Sequence, residues 1–153
     1  MPQSHLFCSI RKEWVAALPE EIVRQRLLLH MIQEKGFPPS LIAVEQSLKS
    51  MPHISTELHS RLPNRRVDIV CFTPIASTLH PLLMVECKAV ALVPSILNQI
   101  IGYNHFVKSS FIGIANQEGI RTGWYQPQTK EYAFIDFLPS YSELKAQSER
   151  FVK

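Results

Sequence analysis

Apolar and polar positions follow two periods along this chain, and the changes of period mark its elements. Residues 19–35 carry Ile22, Leu28, Leu29 and Ile32 at helical spacing, interleaved with Arg24, Gln25, Arg26 and His30. Pro19, Glu20 and Glu21 suit the first turn of this helix, where proline forfeits no bond and acids meet the positive end of the dipole. Lys35-Gly36, with Pro38-Pro39 beyond, ends it. Upstream, Trp14, Val15 and Leu18 are expected to dock on the domain. Ser40 to Lys49 reads as a short strand, and residues 50–64, polar and broken by prolines, as a loop. Two apolar runs follow, 65–73 and 81–90, joined by a hairpin-type loop over Pro74 to His80. Pro94 opens a second helix to about Val107, with Ile96, Ile100, Tyr103 and Val107 on related faces. Strands are expected at 111–115, 120–125 and 131–137, with turns at 116–119 and 126–130 and a terminal helix over 140–151. This order predicts one α/β domain over 1–153, its core at about 19–137, with a central mixed sheet flanked by helices.

Composition narrows the class. With 153 residues and 46% of them hydrophobic, the chain can bury a core unaided, and only five glycines exclude a collagen-like repeat. No apolar run approaches the roughly 18 residues of a membrane span. The first residues lack a charged segment leading into an apolar stretch, so no secretory signal is expected. Three cysteines cannot all pair, and Cys71 and Cys87 lie in apolar runs, as buried free thiols do. A cytoplasmic protein without membrane contact is the expectation. A net charge of +3 permits a polyanionic partner without requiring one. Among 13 acids only Asp68 and Asp136 are aspartates, a residue type disfavoured in strands, so each needs a reason.

The reason for Asp68 lies a hairpin away, at Glu86-Cys87-Lys88. An acid-x-Lys triplet also occurs at Glu143-x-Lys145, but in a polar helical stretch where i and i+2 diverge. In an apolar strand, i and i+2 share a face, so Glu86 and Lys88 stand together and Cys87 points away. Charges there cost heavily unless paired or bound to an ion. A same-face salt bridge is the plain reading, and Asp68 on the neighbouring strand weighs against it. Two adjacent carboxylates repel and are relieved by a proton, a lysine or a divalent cation. With the backbone carbonyl of Cys87 they make a hard oxygen site suited to Mg²⁺ (or Mn²⁺). Lys88 would then orient an attacking water or stabilise a transition-state phosphate. Gln99 and Tyr103, at i and i+4, share one helix face near that site. Arg61, Arg65 and Arg66 form a basic patch beside Asp68 that would suit a phosphate backbone. The six histidines have no finger spacing and the cysteines no CxxC; His53, His59 and His80 are expected to face solvent.

The ordered set Pro-Glu-Glu-x-Val-Arg-Gln (19–25), Asp68, Glu86-x-Lys88 and Gln99-x-x-x-Tyr103 resembles the PD-(D/E)xK nuclease superfamily. More narrowly, it resembles the N-terminal nuclease domain of type I restriction enzyme restriction subunits. Gly36-Phe37-Pro38 before Ile42-Ala43-Val44-Glu45 fits, as do Arg66-Val67-Asp68-Ile69-Val70 and Leu83-Met84-Val85-Glu86-Cys87-Lys88-Ala89, so the likeness spans roughly 19–125. It implies a restriction-endonuclease-like core, Asp68 and Glu86 as metal ligands, and Lys88 as the catalytic lysine. Gln99 and Tyr103 would be the accessory motif near the DNA backbone. A glutamate of the first helix would act through the metal's water shell, either Glu20 or Glu21, with Glu21 preferred; Gln25, one turn on, would share that face. Val67 stands where the motif's proline would be. No GxxxxGK[ST] phosphate loop occurs in these residues, so the motor of such subunits is not expected, and translocation and ATP use are not carried over. The expectation is a Mg²⁺-dependent DNA endonuclease-like domain, free-standing or a fragment. Its partners would be DNA and other restriction-modification subunits, and a homodimer would serve cutting of both strands. The alternative, from a different class, is a catalytically silent nucleic-acid-binding or assembly module with a nuclease fold.

Overall fold

The computed structural model describes residues 4–151. Its centre is a six-stranded sheet in the order β3-β4-β5-β6-β7-β8, with β3 at Ile42–Ser47, β4 at Arg66–Ile75, β5 at Thr78–Cys87, β6 at Phe111–Asn116, β7 at Gly119–Gln126 and β8 at Glu131–Ile135. Every pairing is antiparallel except β5 with β6, which run parallel because helix α2, Pro94–Val107, carries the chain back between them. Helices α1, Pro19–Gln33, and α3, Tyr141–Phe151, complete the domain, and a small hairpin of β1, His5–Cys8, and β2, Glu13–Ala16, precedes α1. No helix among the described residues is long and apolar enough to cross a membrane.

Two cores sandwich the sheet. On one face Val23, Leu27, Leu28 and Met31 of α1 and Leu144 of α3 pack against Ile69, Cys71, Leu83, Val85 and Cys87. On the other, Ile100 and Val107 of α2 meet Val70, Phe72, Met84 and Ile112. Residues 48–62 cover that second face beside α2, with Leu48 and Met51 buried in it. His53 ties this cover down, its Nε2 lying 2.6 Å from the Val107 carbonyl.

Helix α1 starts on Pro19, and Gly36 ends its last turn at φ +71°, with the Phe37 N–H returning to the Met31 carbonyl at 3.0 Å. Its buried row is Val23, Leu27, Leu28 and Met31, whereas Leu29 is 56% exposed, so the apolar face is rotated from the one read from sequence. Trp14 and Leu18 are likewise exposed rather than docked; Trp14 stacks edge-on with Phe7 across the small hairpin, and Val15 alone of the three reaches the core.

The expected loop over Pro74 to His80 is mostly strand. The hairpin turns at Ala76 and Ser77, with Ala76 at φ +56° and Ile75 paired to Thr78. Pro74 and Pro81 are tolerated because each lies beyond the end of its outer neighbour: β3 pairs no further than Cys71, and β6 begins opposite Leu83. His53 and His59 are half-buried rather than solvent-facing, within a cover that forms a two-turn 3-10 helix over Thr56–Arg61. Asp136 lies just past the end of β8, exposed.

Candidate active site

Past a bulge at Leu82, strand β5 alternates faces from Leu83 to Cys87, so Glu86 shares the α2 face with Met84 while Cys87 packs under α1. Glu86 is 7% exposed, and its Oε1 has no hydrogen-bond partner among the described residues. The Asp68 carboxyl lies close enough for its charge to act on Glu86, and Asp68 Oδ2 accepts the Cys87 N–H at 2.7 Å. Burial pushes the Glu86 carboxyl up to about 9, the Asp68 charge adds to the rise, and Lys88 and Arg65 oppose it.

Lys88 follows directly, half-buried, its backbone N–H anchored to the Ala115 carbonyl at 2.8 Å. Among the described residues its ammonium forms no ion pair, so Glu86 and Lys88 are neighbours but not a closed salt bridge. Gln99 and Tyr103 project from α2 one turn apart, with Gln99 Nε2 donating to Tyr103 Oη at 3.1 Å. The Arg65 guanidinium lies over the Tyr103 ring, 4.4 Å from its centre. Asp68, Glu86, Lys88, Arg65 and Tyr103 thus gather where β4 and β5 meet α2. Arg66 is exposed at the start of β4, paired with Ser47 of β3. Arg61 is farther along the cover, lining with His105 and Lys108 a cleft of about 360 Å³.

Glu21 and Gln25 are placed differently. Glu21 is buried on the α1 side, where its Oε2 accepts from Arg11 at 2.7 Å and Gln25 at 3.0 Å and lies 3.2 Å from Arg24 Nε. Burial raises its affinity for a proton, but the hydrogen bonds from Arg11 and Gln25 and the charge of Arg24 outweigh this and hold its pKa low. Gln25 is committed to Glu21 rather than turned to the α2 face. Glu20 is exposed.

Sequence reasoning missed Arg24, which is 6% exposed and donates to the Asp68 carbonyl at 3.4 Å. The signal was present: Glu21, Arg24, Leu28 and Met31 recur at helical spacing, so Arg24 is in line with the core row.

A hard cation fits this donor set. Two side-by-side carboxyl groups, one with an unpartnered buried oxygen, present hard oxygen ligands. Among the described residues no group of three or more His, Cys, Asp or Glu side chains is placed to hold a metal.

No curated protein matches the chain significantly. Among solved structures, it is similar to a fragment assigned to an HsdR subunit of a type I restriction enzyme from Vibrio vulnificus YJ016. That similarity has 14% identity and a TM-score of 0.48, covering 80% of this chain and 24% of the other, so the chain spans about a quarter of the length of that fragment. The family model for the type I restriction enzyme R protein N terminus matches residues 19–139, from the start of α1 to the approach to α3, and the chain belongs to that family.

Proposed function

We propose that this domain is a Mg²⁺-dependent DNA endonuclease of the type I R-subunit kind, hydrolysing phosphodiester bonds. The observation that carries the reading is the buried Glu86 carboxyl, with one unsatisfied oxygen, beside the half-buried Asp68, an arrangement costly without a compensating charge. Asp68, Glu86 and the Cys87 carbonyl would hold the ion. What Mg²⁺ supplies when bound to such oxygens is a more acidic water and neutralised charge on a phosphate oxygen.

The remaining steps belong to side chains of this chain. Lys88, unpaired beside Glu86, orients the attacking water and stabilises charge on the transferring phosphate. Gln99 and Tyr103 meet the DNA backbone, and Arg65, lying over the Tyr103 ring, offers its guanidinium to a phosphate. Glu21 already holds Arg11, Arg24 and Gln25, so its share in the site runs through those partners.

Charge distribution supports DNA as the substrate. From Leu58 to Gln117 the only acids are Asp68 and Glu86, against five Lys and Arg, while the rest of the chain balances eleven bases with eleven acids. The net charge of +3 therefore belongs to the segment that builds the site and its cover. Partners are then DNA and the other subunits of a restriction-modification assembly.

The direct test is cleavage of plasmid and single-stranded DNA with Mg²⁺ or Mn²⁺, beside Asp68→Asn. Cleavage by wild type alone is expected; DNA binding without cleavage under any of these conditions would favour a silent binding module. A second expectation concerns Arg61, Arg65 and Arg66. Each phosphate contact contributes roughly 0.9 to the slope of log affinity against log salt on duplex DNA. Replacing all three with Ala should flatten that slope by up to about 2.7, measured by filter binding. An unchanged slope would return the arginines to the role of a solvated loop.

A further inference from the structure

The candidate site is built on a break in the sheet. On either side of the break β3 and β4 keep one register, Val44 opposite Ile69 and Gln46 opposite Val67. That register would place Glu45 opposite Asp68, yet the two do not pair. Glu45 sits at φ +54°, the left-handed region in which a side chain crowds the following carbonyl. On the other edge of β4, pairing with β5 stops at Ile69 and Val85. The alternation of faces breaks at the same point: Val67 and Val70 pack in the α2 core, with Ile69 between them in the α1 core. Asp68 is thereby released from both neighbouring strands.

Its polar groups find other partners. The carboxylate takes the Cys87 N–H, and the carbonyl takes Arg24 Nη1, reaching through from the α1 side. Arg24 Nη2 donates to Glu45 Oε1 at 3.3 Å, joining the guanidinium to both residues of the missing pair. Its Nε lies 3.2 Å from Glu21, in ion-pair contact but misaligned for a hydrogen bond, and Arg11 braces Glu21 from the small hairpin. A leucine in line with Leu28 and Met31 would fill this place without burying a charge. The position of the charge, at the one gap that frees a carboxylate, calls for a role beyond packing.

We propose that Arg24 is a positioning residue for Asp68: its guanidinium, shared between the Asp68 carbonyl and Glu45, holds the ladder open so that the Asp68 carboxylate faces Glu86. This rests on the reading of Asp68 and Glu86 as the metal-binding pair. Groups that orient metal ligands from behind typically change affinity about 10- to 100-fold when removed.

The test is titration of the whole chain with Mn²⁺ alone, read by calorimetry, with folding followed by circular dichroism. Arg24→Met should stay folded and bind Mn²⁺ about tenfold or more weakly, and Arg24→Lys, which keeps the charge without the fork, should recover part of the loss. In cleavage assays kcat should fall with KM for DNA little changed. Should Arg24→Met not fold, Glu45 decides: Glu45→Val disfavours the left-handed kink and should weaken Mn²⁺ at least as much, whereas Glu45→Gly, which accepts that φ, should weaken it less. Folded Arg24→Met or Glu45→Val binding Mn²⁺ as tightly as wild type overturns the inference and leaves the metal-site reading standing. Wild type with no Mn²⁺ binding sensitive to Asp68→Asn overturns both.

Discussion

Lys88→Ala is expected to slow DNA cleavage by roughly a hundred- to a thousandfold while leaving Mn²⁺ and DNA binding close to wild type. The separation follows from where the side chain stands. Its backbone is fixed by the Ala115 carbonyl at 2.8 Å, so truncation leaves β5 and β6 in register. Its ammonium forms no ion pair among the described residues, so truncation strands no buried partner. What disappears is a positive charge beside Glu86, where the proposed reaction would develop negative charge on the attacked phosphate. Loss of one such preorganised group typically costs about 3–4 kcal/mol of transition-state stabilisation. Single-turnover cleavage beside filter binding separates the two effects. A variant that cuts within a few-fold of wild type would remove Lys88 from the chemistry. One that chiefly lowers stability would make it a structural cation.

Much of this arrangement is legible in the sequence, for a physical reason. Charged residues inside an apolar strand are costly enough that Glu86 and Lys88 stand out without a structure, and the period of two puts them on one face. Gln99 and Tyr103 are as readable, because i and i+4 on a helix meet, and here the amide does reach the hydroxyl. Arg24 is not, because a charged residue in an amphipathic helix is assigned to solvent by default. Counting Leu29 as core turned the helix by one position and hid the row through Glu21, Arg24, Leu28 and Met31. The kink at Glu45 and the unpaired Asp68 are beyond pattern reading, since alternation reports a strand but not where its ladder opens. The hairpin at Ala76-Ser77 was obscured by two prolines that only the finished sheet order makes harmless. The small N-terminal hairpin, with four-residue strands and an outward Trp14, carries too short a pattern to be read.

Glu86→Gln is expected to make the metal-free protein more stable at pH 8 and to abolish its response to divalent ions. The Glu86 carboxyl has its folded-state pKa raised from 4.5 to about 9, first by burial and then by Asp68. A group raised on folding gives stability that is full below its unfolded pKa and is lost as pH climbs toward the folded value. The metal-free wild type should therefore lose stability steadily from about pH 5 to about pH 9. That loss should appear as a Tm that falls steadily as the pH rises through this range. A neutral amide of the same shape has nothing to titrate, so this contribution vanishes in Glu86→Gln. A divalent cation acts in the opposite sense on wild type. It binds the native carboxylates in place of the proton and adds about 2.7 kcal/mol at a hundred times its Kd. Its effect should grow from pH 6 to pH 8, as less proton must be displaced, and be absent in Glu86→Gln. Thermal melts across pH 5–9, with and without Mn²⁺, read both trends together. If wild type and Glu86→Gln show the same pH profile, Glu86 is not the buried titrating acid described here. If Mn²⁺ shifts the two equally, the ion binds elsewhere and the Asp68–Glu86 pair is not its site.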